Sequence, residues 1–508
     1  GKGGGPYTNE AVGAENYGTI SYMTESPHEK GVFYTGSDDG YVYVTRDNGA
    51  NWQNVTPKNL GETLINAIEI SPHNPATVYI ATTKYKLGDY APALFKSTNY
   101  GKTWSPINNG IPDGAYTRVV REDEKRKGLL YAGTELGVYI SFNDGASWES
   151  FQRNLPITPI TDLKVQSNDL VVATSGRSFW ILDNLSLLSQ YGGATANAKL
   201  YNPEPIVYGN WRSSLSGNND SFSGMQDFTG INPANGIELY YYLPEVPEST
   251  ELTMTVTDAN GKLINSYTSK KDENYVPHNG GDAPPAPQLS YKKGLNRFVW
   301  NMRHKIVPGV PGAYIEAGFR GHKVGPGTYT VTFNYMGQML SKQAEIGYNS
   351  MYDVTPADYI EFDEFMSEVE TNATDMHNKV NALKKASSTL TELLKNMKLK
   401  GIHTSLVSEG ETLLDELSRW DEQMVQRRSQ AYDDVENFEN KFTAEYLFLM
   451  NQTASSLPRV NQSSKDRKAE LDAQWKGLLA EAHSFLNTKL PAFNKKLWDA
   501  GYGAIELK

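Results

Sequence analysis

Short runs in which apolar and polar residues alternate fill the first 190 or so residues of the chain. Residues 41–44 read Tyr-Val-Tyr-Val, and residues 138–140 read Val-Tyr-Ile. Alternation with a period of two is typical of strands that bury one face. Tight-turn pairs such as Asp144-Gly145 follow the runs. The pattern predicts an all-β region of short antiparallel strands.

These runs recur as a repeat of about 40 to 50 residues. Four units begin near residues 20, 65, 116 and 160, and the first three end in Trp52, Trp104 and Trp148. The spacing of these Trp residues matches the ~40–50 residues of a four-stranded propeller blade. The fourth unit, residues 160–184, lacks the closing turn. The sequence therefore predicts about four consecutive blades of a β-propeller.

The turn before each of these Trp residues has a recurrent composition. Residues 45–52 read TRDNGANW, residues 97–104 read STNYGKTW, and residues 141–148 read SFNDGASW. They resemble the Asp-box, Ser/Thr-x-Asp-x-Gly-x-Thr-Trp, of sialidases, sortilin-type receptors and two-propeller xyloglucanases. Asn99 and Asn143 stand where Asp is usual, which keeps the acceptor and removes the charge. We expect these boxes to bond their own hairpins and to hold no ligand.

Two further regions follow the repeat. Strand patterns cover residues 237–243, 251–257, 263–268, 297–302 and 328–335, and they predict a β-sandwich of the immunoglobulin or fibronectin type. From Thr355 onward the apolar positions recur at three- and four-residue steps, which predicts a helical bundle. We expect blades over residues 1–195, a sandwich with long loops over 196–350 and the bundle over 351–508. The fold class is mainly β with an α-helical C-terminal region.

The order of these regions carries a family resemblance over most of the chain. It is similar to the C-terminal half of the large BNR/Asp-box repeat proteins of Bacteroidetes, in the sortilin- and sialidase-like propeller superfamily, which are often labelled glycosyl hydrolase. Four phrases carry the resemblance: ENYGTI (15–20), GRSFWILD (176–183), GLNRFVW (294–300) and LPAF (490–493). The resemblance implies an extracytoplasmic protein that is periplasmic, associated with the outer membrane or secreted.

Composition narrows the choice of partners. The net charge is -11 and the 48 Lys and Arg are scattered along the chain, so neither nucleic acid nor an anionic membrane is expected as a partner. No run reaches the ~18 apolar residues of a membrane-spanning helix. The chain has no Cys, which removes disulfides and thiolate metal sites. We expect no cofactor.

No catalytic or metal-binding motif is visible in the sequence. The sialidase resemblance implies three Arg, a Tyr–Glu pair and an Asp, but the Arg residues of the blades do not recur at equivalent positions. HExxH, P-loop and Gly-x-Ser-x-Gly motifs are absent. The eight His lack paired ligand spacing, and His28 and His73 occupy equivalent Ser-Pro-His turns. We therefore predict no catalytic residue and no metal site.

Blade topology indicates where a ligand would bind. Each box joins the third and fourth strands, so the loops between the second and third strands lie at the opposite end of the blade, which we call the top face. Residues 84–93 form the longest of these loops, and its two Tyr suit stacking on a sugar or a peptide. A solvated loop without a ligand is the alternative. The candidate ligand-binding residues are Asp38, Asp39, Tyr85, Asp89, Tyr90, Glu135 and Arg177.

The leading hypothesis is a non-catalytic extracytoplasmic binding or scaffold protein. Its sandwich and bundle would dock the propeller to a partner, such as a protein complex at the cell envelope, or to the rest of its own chain. The alternative is a glycoside hydrolase of the sialidase or xyloglucanase type acting on polysaccharide. We also expect that the blades do not close a ring alone, because the fourth unit is degenerate and the Gly-rich start resembles a cut end. The partner would then be an upstream propeller segment of the same precursor or a second chain.

Overall fold

The computed structural model describes residues 17–216, 231–246, 251–272, 275, 285–401, 403–455 and 457–505. The chain divides into two compact units, Gly1–Ala194 and Thr195–Lys508. It is mainly β with helices in its C-terminal part. Among the described residues, no helix combines the length and the apolar character needed to cross a membrane.

Four antiparallel sheets follow one another along the first unit. Within each sheet the strands are hydrogen-bonded in chain order, which is the arrangement of propeller blades. Blade 1 contains β1 (Ile20–Glu25), β2 (Phe33–Ser37), β3 (Val42–Thr45) and β4 (Gln53–Asn54); blade 2 contains β5 (Leu64–Ile70), β6 (Val78–Lys84), β7 (Asp89–Ser97) and β8 (Ser105–Pro106); blade 3 contains β9 (Thr117–Glu122), β10 (Leu130–Thr134), β11 (Gly137–Ser141) and β12 (Glu149–Ser150); blade 4 contains β13 (Ile160–Gln166), β14 (Asp169–Thr174) and β15 (Phe179–Leu182), and helix α1 (Ser186–Gln190) follows.

The first strand of a blade packs against the blade before it. Ile65 in β5 and Ile160 in β13 occupy equivalent positions beside a bulge, and both are fully buried. A Cβ on Gly36 would stand 2.3 Å from Ile65 Cγ2, and a Cβ on Gly133 would stand 2.6 Å from Ile160 Cγ2. Because only glycine leaves room for these contacts, a small residue on one blade fixes where the next blade docks.

The closing Trp residues also join each blade to the preceding one. Trp104 Nε1 donates a hydrogen bond to Val55 O at 2.7 Å, and Trp148 Nε1 donates to Ile107 O at 2.6 Å. Val55 and Ile107 each follow the last strand of the preceding blade. Trp52, which has the same position in blade 1, is 42% exposed, whereas Trp148 is 5% exposed. The contact therefore exists only where a preceding blade is present.

The two Ser-Pro-His turns make a second repeated contact between blades. His28 Nε2 lies 2.9 Å from Ser71 O, and His73 Nε2 lies 2.7 Å from Asp123 O. In both cases the imidazole of one blade meets the equivalent turn of the next blade. These histidines are therefore structural contacts.

The box side chains bond their own hairpins. At the third box position the side-chain oxygen accepts the backbone N–H four residues later: Asp47 from Asn51 at 2.8 Å, Asn99 from Thr103 at 2.9 Å and Asn143 from Ser147 at 2.9 Å. The amide oxygen of Asn thus replaces the carboxylate of Asp without loss of the bond. The boxes use these groups internally.

One buried arginine connects the inner strands of all four blades. Arg121 of β9 bonds Tyr22 Oη at 3.1 Å and Asp162 Oδ1 at 2.8 Å, donates through Nε to Leu163 O at 2.8 Å and lies 3.5 Å from Glu69 Oε2. Burial raises the pKa of Glu69 to about 7, although Arg121 opposes this shift. Carboxylates on neighbouring blades thus compensate the buried guanidinium.

Blades 1 and 4, at the two ends of the row of described blades, carry exposed apolar residues. Ile20 and Met23 of β1 are 61% and 55% exposed. Their equivalents in the other blades are all buried: Ile65, Thr117 and Ile160 correspond to Ile20, and Ile68, Val120 and Leu163 correspond to Met23. Phe179 and Ile181 of β15 are exposed at the other end.

Two sheets make up the β part of the second unit. Their strand orders are β16-β18-β21 and β17-β23-β22-β19-β20, with β17 parallel to β23 and the other pairs antiparallel. The strands are β16 (Lys199–Leu200), β17 (Ile206–Val207), β18 (Ile237–Leu243), β19 (Thr253–Thr257), β20 (Leu263–Thr268), β21 (Gly294–Trp300), β22 (Gly327–Tyr335) and β23 (Gln338–Gly347). Tyr241, Trp300 and Phe333 belong to one core shared by both sheets. The immunoglobulin or fibronectin type of this β region stays a prediction.

The helices of the second unit follow the sheets. They are α2 (Pro356–Lys400), α3 (Thr404–Met424), α4 (Phe442–Ala454), α5 (Gln462–Ser484) and α6 (Leu490–Asp499). Thr355 caps α2, since its Oγ1 accepts from Asp358 N at 3.2 Å while Thr355 N donates to Asp358 Oδ2 at 2.8 Å. Val307 and Phe319, from the loop between β21 and β22, lie in the helical core. This loop packs against the helices, and the sheets and helices lie in one compact unit, Thr195–Lys508. The division into a sandwich and a bundle at residue 350 stays a prediction.

The blade contacts predict a contrast between two Trp substitutions. Trp148→Ala removes a buried ring between blades 2 and 3 and should lower the free energy of unfolding by about 3–5 kcal/mol. Trp52→Ala, at the same position in blade 1, should cost about 1 kcal/mol or less because Trp52 is 42% exposed among the described residues. Chemical unfolding followed by circular dichroism measures both values. Equal losses for the two variants would contradict the assigned contacts.

Candidate functional site

The structure places the predicted site residues on the top-face loops. Asp38 and Asp39 follow β2, Tyr85 begins the turn Tyr85–Leu87 after β6, Asp89 and Tyr90 begin β7, Glu135 follows β10, and Arg177 lies between β14 and β15. Each loop joins the second and third strands of its blade. The blades carry these side chains at the end remote from the boxes.

Three tyrosines meet where blades 2 and 3 adjoin, and we call them the aromatic cluster: Tyr85, Tyr90 and Tyr116. The rings of Tyr85 and Tyr116 are stacked with centroids 5.4 Å apart, and the Tyr90 ring lies 6.1 Å from Tyr116. Tyr116 is buried, Tyr85 is half-buried and Tyr90 is exposed. The buried ring fixes the base of the cluster, while Tyr90 presents its ring to solvent.

An ion pair borders the aromatic cluster. Arg118 donates to Glu135 Oε2 from Nε at 3.0 Å and from Nη2 at 2.7 Å, and its guanidinium lies 5.3 Å from the Tyr116 ring centroid. Arg118 Nη2 also donates to Tyr116 Oη at 3.3 Å. Burial, and then the hydrogen bond with Glu135, raise the pKa of the Tyr116 phenol. The phenol therefore stays neutral at physiological pH.

The remaining predicted residues lie outside the aromatic cluster and its ion pair, and Asp38, Asp39 and Asp89 are held by local hydrogen bonds. Asp38 Oδ1 accepts from the backbone N–H of Gly18 and Thr19 at 2.8 and 2.9 Å, and Asp38 lines a cavity of ≈ 30 Å³ together with Tyr85. Asp39 accepts from Ser37 Oγ. Asp89 accepts from Ala91 N at 3.0 Å, and Arg177 is exposed on blade 4. The structure thus brings Tyr85, Tyr90 and Glu135 together, and no described contact joins Arg177 to them.

Sequence reasoning missed Tyr116 and Arg118. The repeat contained a signal for Arg118, because it occupies the bulged position of its inner strand, as Ser21 and Asn66 do in blades 1 and 2. Ser21 Oγ donates to Ile65 O at 2.7 Å, and Asn66 Nδ2 donates to Thr117 O at 3.1 Å. Arg118 instead reaches the top-face Glu135. When the blades are aligned, Arg118 of blade 3 occupies the position at which blades 1 and 2 have the short polar residues Ser21 and Asn66.

A cleft of ≈ 2310 Å³ lies in the second unit. Its described lining contains eight Lys and Arg against one acid: Arg212, Lys271, Lys292, Arg303, Lys305, Arg320, Lys323 and Lys384 against Asp272. Burial, and then the nearby Arg303, lower the pKa of Lys323 to about 8. The lining favours anionic ligands, although the chain as a whole is acidic.

Two histidines and two carboxylates, which we call the His–carboxylate cluster, meet where the β layers adjoin α2. His304 Nε2 and His322 Nε2 lie 3.2 and 3.0 Å from the same atom, Asp363 Oδ1. His322 Nδ1 lies 3.0 Å from Glu370 Oε1. Burial lowers the pKa of His322, but hydrogen bonds to Asp363 and Glu370 outweigh burial and raise it to about 9. These residues lie outside those that the sequence singles out.

The sheet topology of the first unit and the helices of the second define a β-propeller-type chain with a C-terminal helical region. No family model matches the chain. Over 207 residues it is 23% identical to the oligoxyloglucan-reducing end-specific xyloglucanase of Emericella nidulans, a match that covers 36% of this chain and 24% of that protein. The chain therefore spans about a quarter of the curated relative that it matches.

Solved structures match the chain at low TM-scores. The GH74 enzyme of Niastella koreensis has a TM-score of 0.27 and 14% identity, and the match covers 64% of this chain and 45% of that chain. YCF48 from Cyanidioschyzon merolae has a TM-score of 0.26 and 15% identity, and its match covers 33% of this chain and 53% of that chain. The resemblance to Bacteroidetes BNR/Asp-box repeat proteins stays a prediction.

Proposed function

We propose that this chain is the polysaccharide-binding part of a propeller-type glycoside hydrolase that acts on xyloglucan or a related polymer. The aromatic cluster with its exposed Tyr90, bordered by the Arg118–Glu135 ion pair, is the observation that carries the proposal. The similarity to a xyloglucanase supports the class of substrate. A polysaccharide of this kind lies outside the cytoplasm, so we propose an extracytoplasmic location for the protein.

The cluster supplies both parts of a sugar-binding surface. The apolar face of a pyranose ring stacks on an exposed aromatic ring, and Tyr90 offers such a ring. The sugar hydroxyls need hydrogen-bonding groups at the edge of that platform. Arg118, Glu135 and the neutral Tyr116 phenol lie there. The aromatic cluster spans blades 2 and 3, and its buried member Tyr116 holds the other two rings in place.

A non-catalytic binding or scaffold protein is the second candidate, and it requires no catalytic carboxyl pair. Hydrolysis by the two-carboxylate mechanism needs a carboxyl pair roughly 5–9.5 Å apart across the scissile bond. The predicted top-face acids, Asp38, Asp39, Asp89 and Glu135, each already accept hydrogen bonds from protein groups. In that case the top face recognises its ligand and the second unit docks the protein to partners at the cell envelope.

We also propose that further blades of the same repeat cover the open face of blade 1. Ile20, Met23 and Trp52 are exposed there, although their equivalents in later blades meet a neighbour. Gly101 and Gly145 of the later boxes face Val55 and Ile107 of the preceding blade, whereas no atom of the described residues lies within 4 Å of the Cβ position of Gly49.

The repeat specifies what the covering blade must offer. It needs a small residue on its second strand to admit Ile20, as Gly36 and Gly133 admit Ile65 and Ile160. It also needs a carbonyl acceptor after its last strand for Trp52 Nε1. These requirements describe a blade of this repeat, which an upstream segment of the same precursor or a second chain would supply.

The binding proposal predicts a loss of affinity for xyloglucan oligosaccharides when two rings of the aromatic cluster are removed. The double variant Tyr85→Ala/Tyr90→Ala should bind xyloglucan oligosaccharides roughly tenfold more weakly, because aromatic contacts are each worth about 0.5–1.5 kcal/mol. Isothermal titration calorimetry measures the affinity. Tyr41→Ala, another exposed top-face tyrosine, is the control and should bind normally. Unchanged affinity in the double variant would move the site elsewhere.

The hydrolase proposal predicts that turnover depends on one or two carboxylates. Asp38→Asn, Asp39→Asn, Asp89→Asn and Glu135→Gln are assayed for release of reducing ends from xyloglucan, in the protein that carries all its blades. Loss of turnover with retained binding in one or two variants is the expected result. If the parent protein binds xyloglucan but releases no product, the scaffold function holds.

The covering-blade proposal predicts selective protection of β1. Since the chain has no Cys, Met23→Cys and Ile157→Cys each provide a single thiol, and Ile157 is the exposed control. In the 508-residue chain alone both thiols should react rapidly with a maleimide. In the protein carrying the covering blades, only position 157 should react rapidly. Equal reactivity of both positions there would refute the proposal.

A further inference from the structure

We propose that His304, His322 and Asp363 bind a divalent transition-metal ion, and Zn²⁺ is the ion used to test the site. Both histidine Nε2 atoms converge on Asp363 Oδ1, and the three donor atoms lie within 4.8 Å of one another. Tetrahedral Zn²⁺ with bonds of about 2.0–2.1 Å separates its ligand atoms by roughly 3.3 Å. Two of the three separations, 3.2 and 3.0 Å, are close to that value.

The surroundings of His322 are those of a metal ligand. Glu370 Oε1 accepts from the His322 backbone N–H at 2.6 Å and lies 3.0 Å from Nδ1. A carboxylate on the second ring nitrogen fixes the tautomer and directs Nε2 toward the metal. The His322 ring also stacks on His304, with centroids 4.2 Å apart, and contacts Phe362 edge-on. Because a metal lies in the plane of each imidazole that binds it, the His304 ring must turn out of this stack for both Nε2 atoms to bind one ion.

Rigid elements hold the donor atoms. His304 and His322 flank the bridge between Arg303 and Lys323, and His304 N donates to His322 O at 3.0 Å. Asp363 lies on α2, and its side chain is about one-third exposed. The ion would therefore link the β layers to the long helix, and Asp363 leaves it a path from solvent.

The ligand set leaves room for an external group. Two imidazoles and one carboxylate are three protein ligands, and three-ligand Zn²⁺ sites keep a fourth position for water or a bound molecule. His304 also lines the cationic cleft of the second unit. Two neighbouring carboxylates, Asp363 and Glu370, balance the charge of a divalent ion. Nitrogen and oxygen donors of this kind select Zn²⁺ over Mg²⁺ or Ca²⁺.

Zinc binding to the chelator-treated chain tests the proposal. Titration calorimetry and elemental analysis should give one Zn²⁺ per chain, and added Zn²⁺ should raise the unfolding temperature. His304→Ala and Asp363→Asn should abolish both effects, and Glu370→Gln should weaken binding roughly 10–100-fold. His483→Ala, an exposed histidine on α5, is the matched control. Bound Co²⁺ should give a visible absorption band that the His304 variant lacks.

Two outcomes would overturn the assignment. If the parent chain binds no stoichiometric Zn²⁺, the cluster is an ion-free hydrogen-bonded network. If His304→Ala and Asp363→Asn keep one tightly bound Zn²⁺, the ion binds elsewhere. Circular dichroism shows whether each variant is folded, and Asp363→Asn preserves the shape of the side chain, so loss of binding is separated from loss of fold.

Discussion

The docking of each inner strand on the blade before it is the contact on which the first unit depends. Ile65 and Ile160 enter spaces that exist only because Gly36 and Gly133 lack side chains. Once the inner strands are fixed in this way, Arg121 can reach partners on neighbouring blades. The aromatic cluster has the same origin, because Tyr85 and Tyr90 come from blade 2 while Tyr116 comes from blade 3. The candidate site is thus a product of blade packing.

Local pattern predicted the elements well. Alternation and turn residues located the strands of the blades, and the helical periodicity from Thr355 onward located the start of α2. Both features depend on residues a few positions apart, where sequence and geometry are tightly linked. The strand Gln338–Gly347 was missed, and its polar residues alternate on an exposed face. Such a strand carries little hydrophobic signal.

The sites were harder to predict, because their residues are distant in sequence. Tyr85 and Glu135 could be placed on one face from blade topology alone, but the role of Arg118 requires the alignment of three bulged strands. The two histidines reach Asp363 across 59 and 41 residues. No spacing rule covers such separations. The loop between β21 and β22 brings them together by packing into the helical core, which no local pattern reveals.

Polymer binding and hydrolysis place different demands on the side chains of the top face. Affinity for a polymer comes from contacts that are equally strong in the ground state and in the transition state. The aromatic cluster supplies contacts of this kind. Rate acceleration needs groups aimed at charge that develops only in the transition state. The predicted acids of this chain are already bonded to its own backbone, serine and arginine groups. Under the proposed function the aromatic cluster accounts for binding, whereas hydrolysis would require a carboxyl pair that spans the scissile bond.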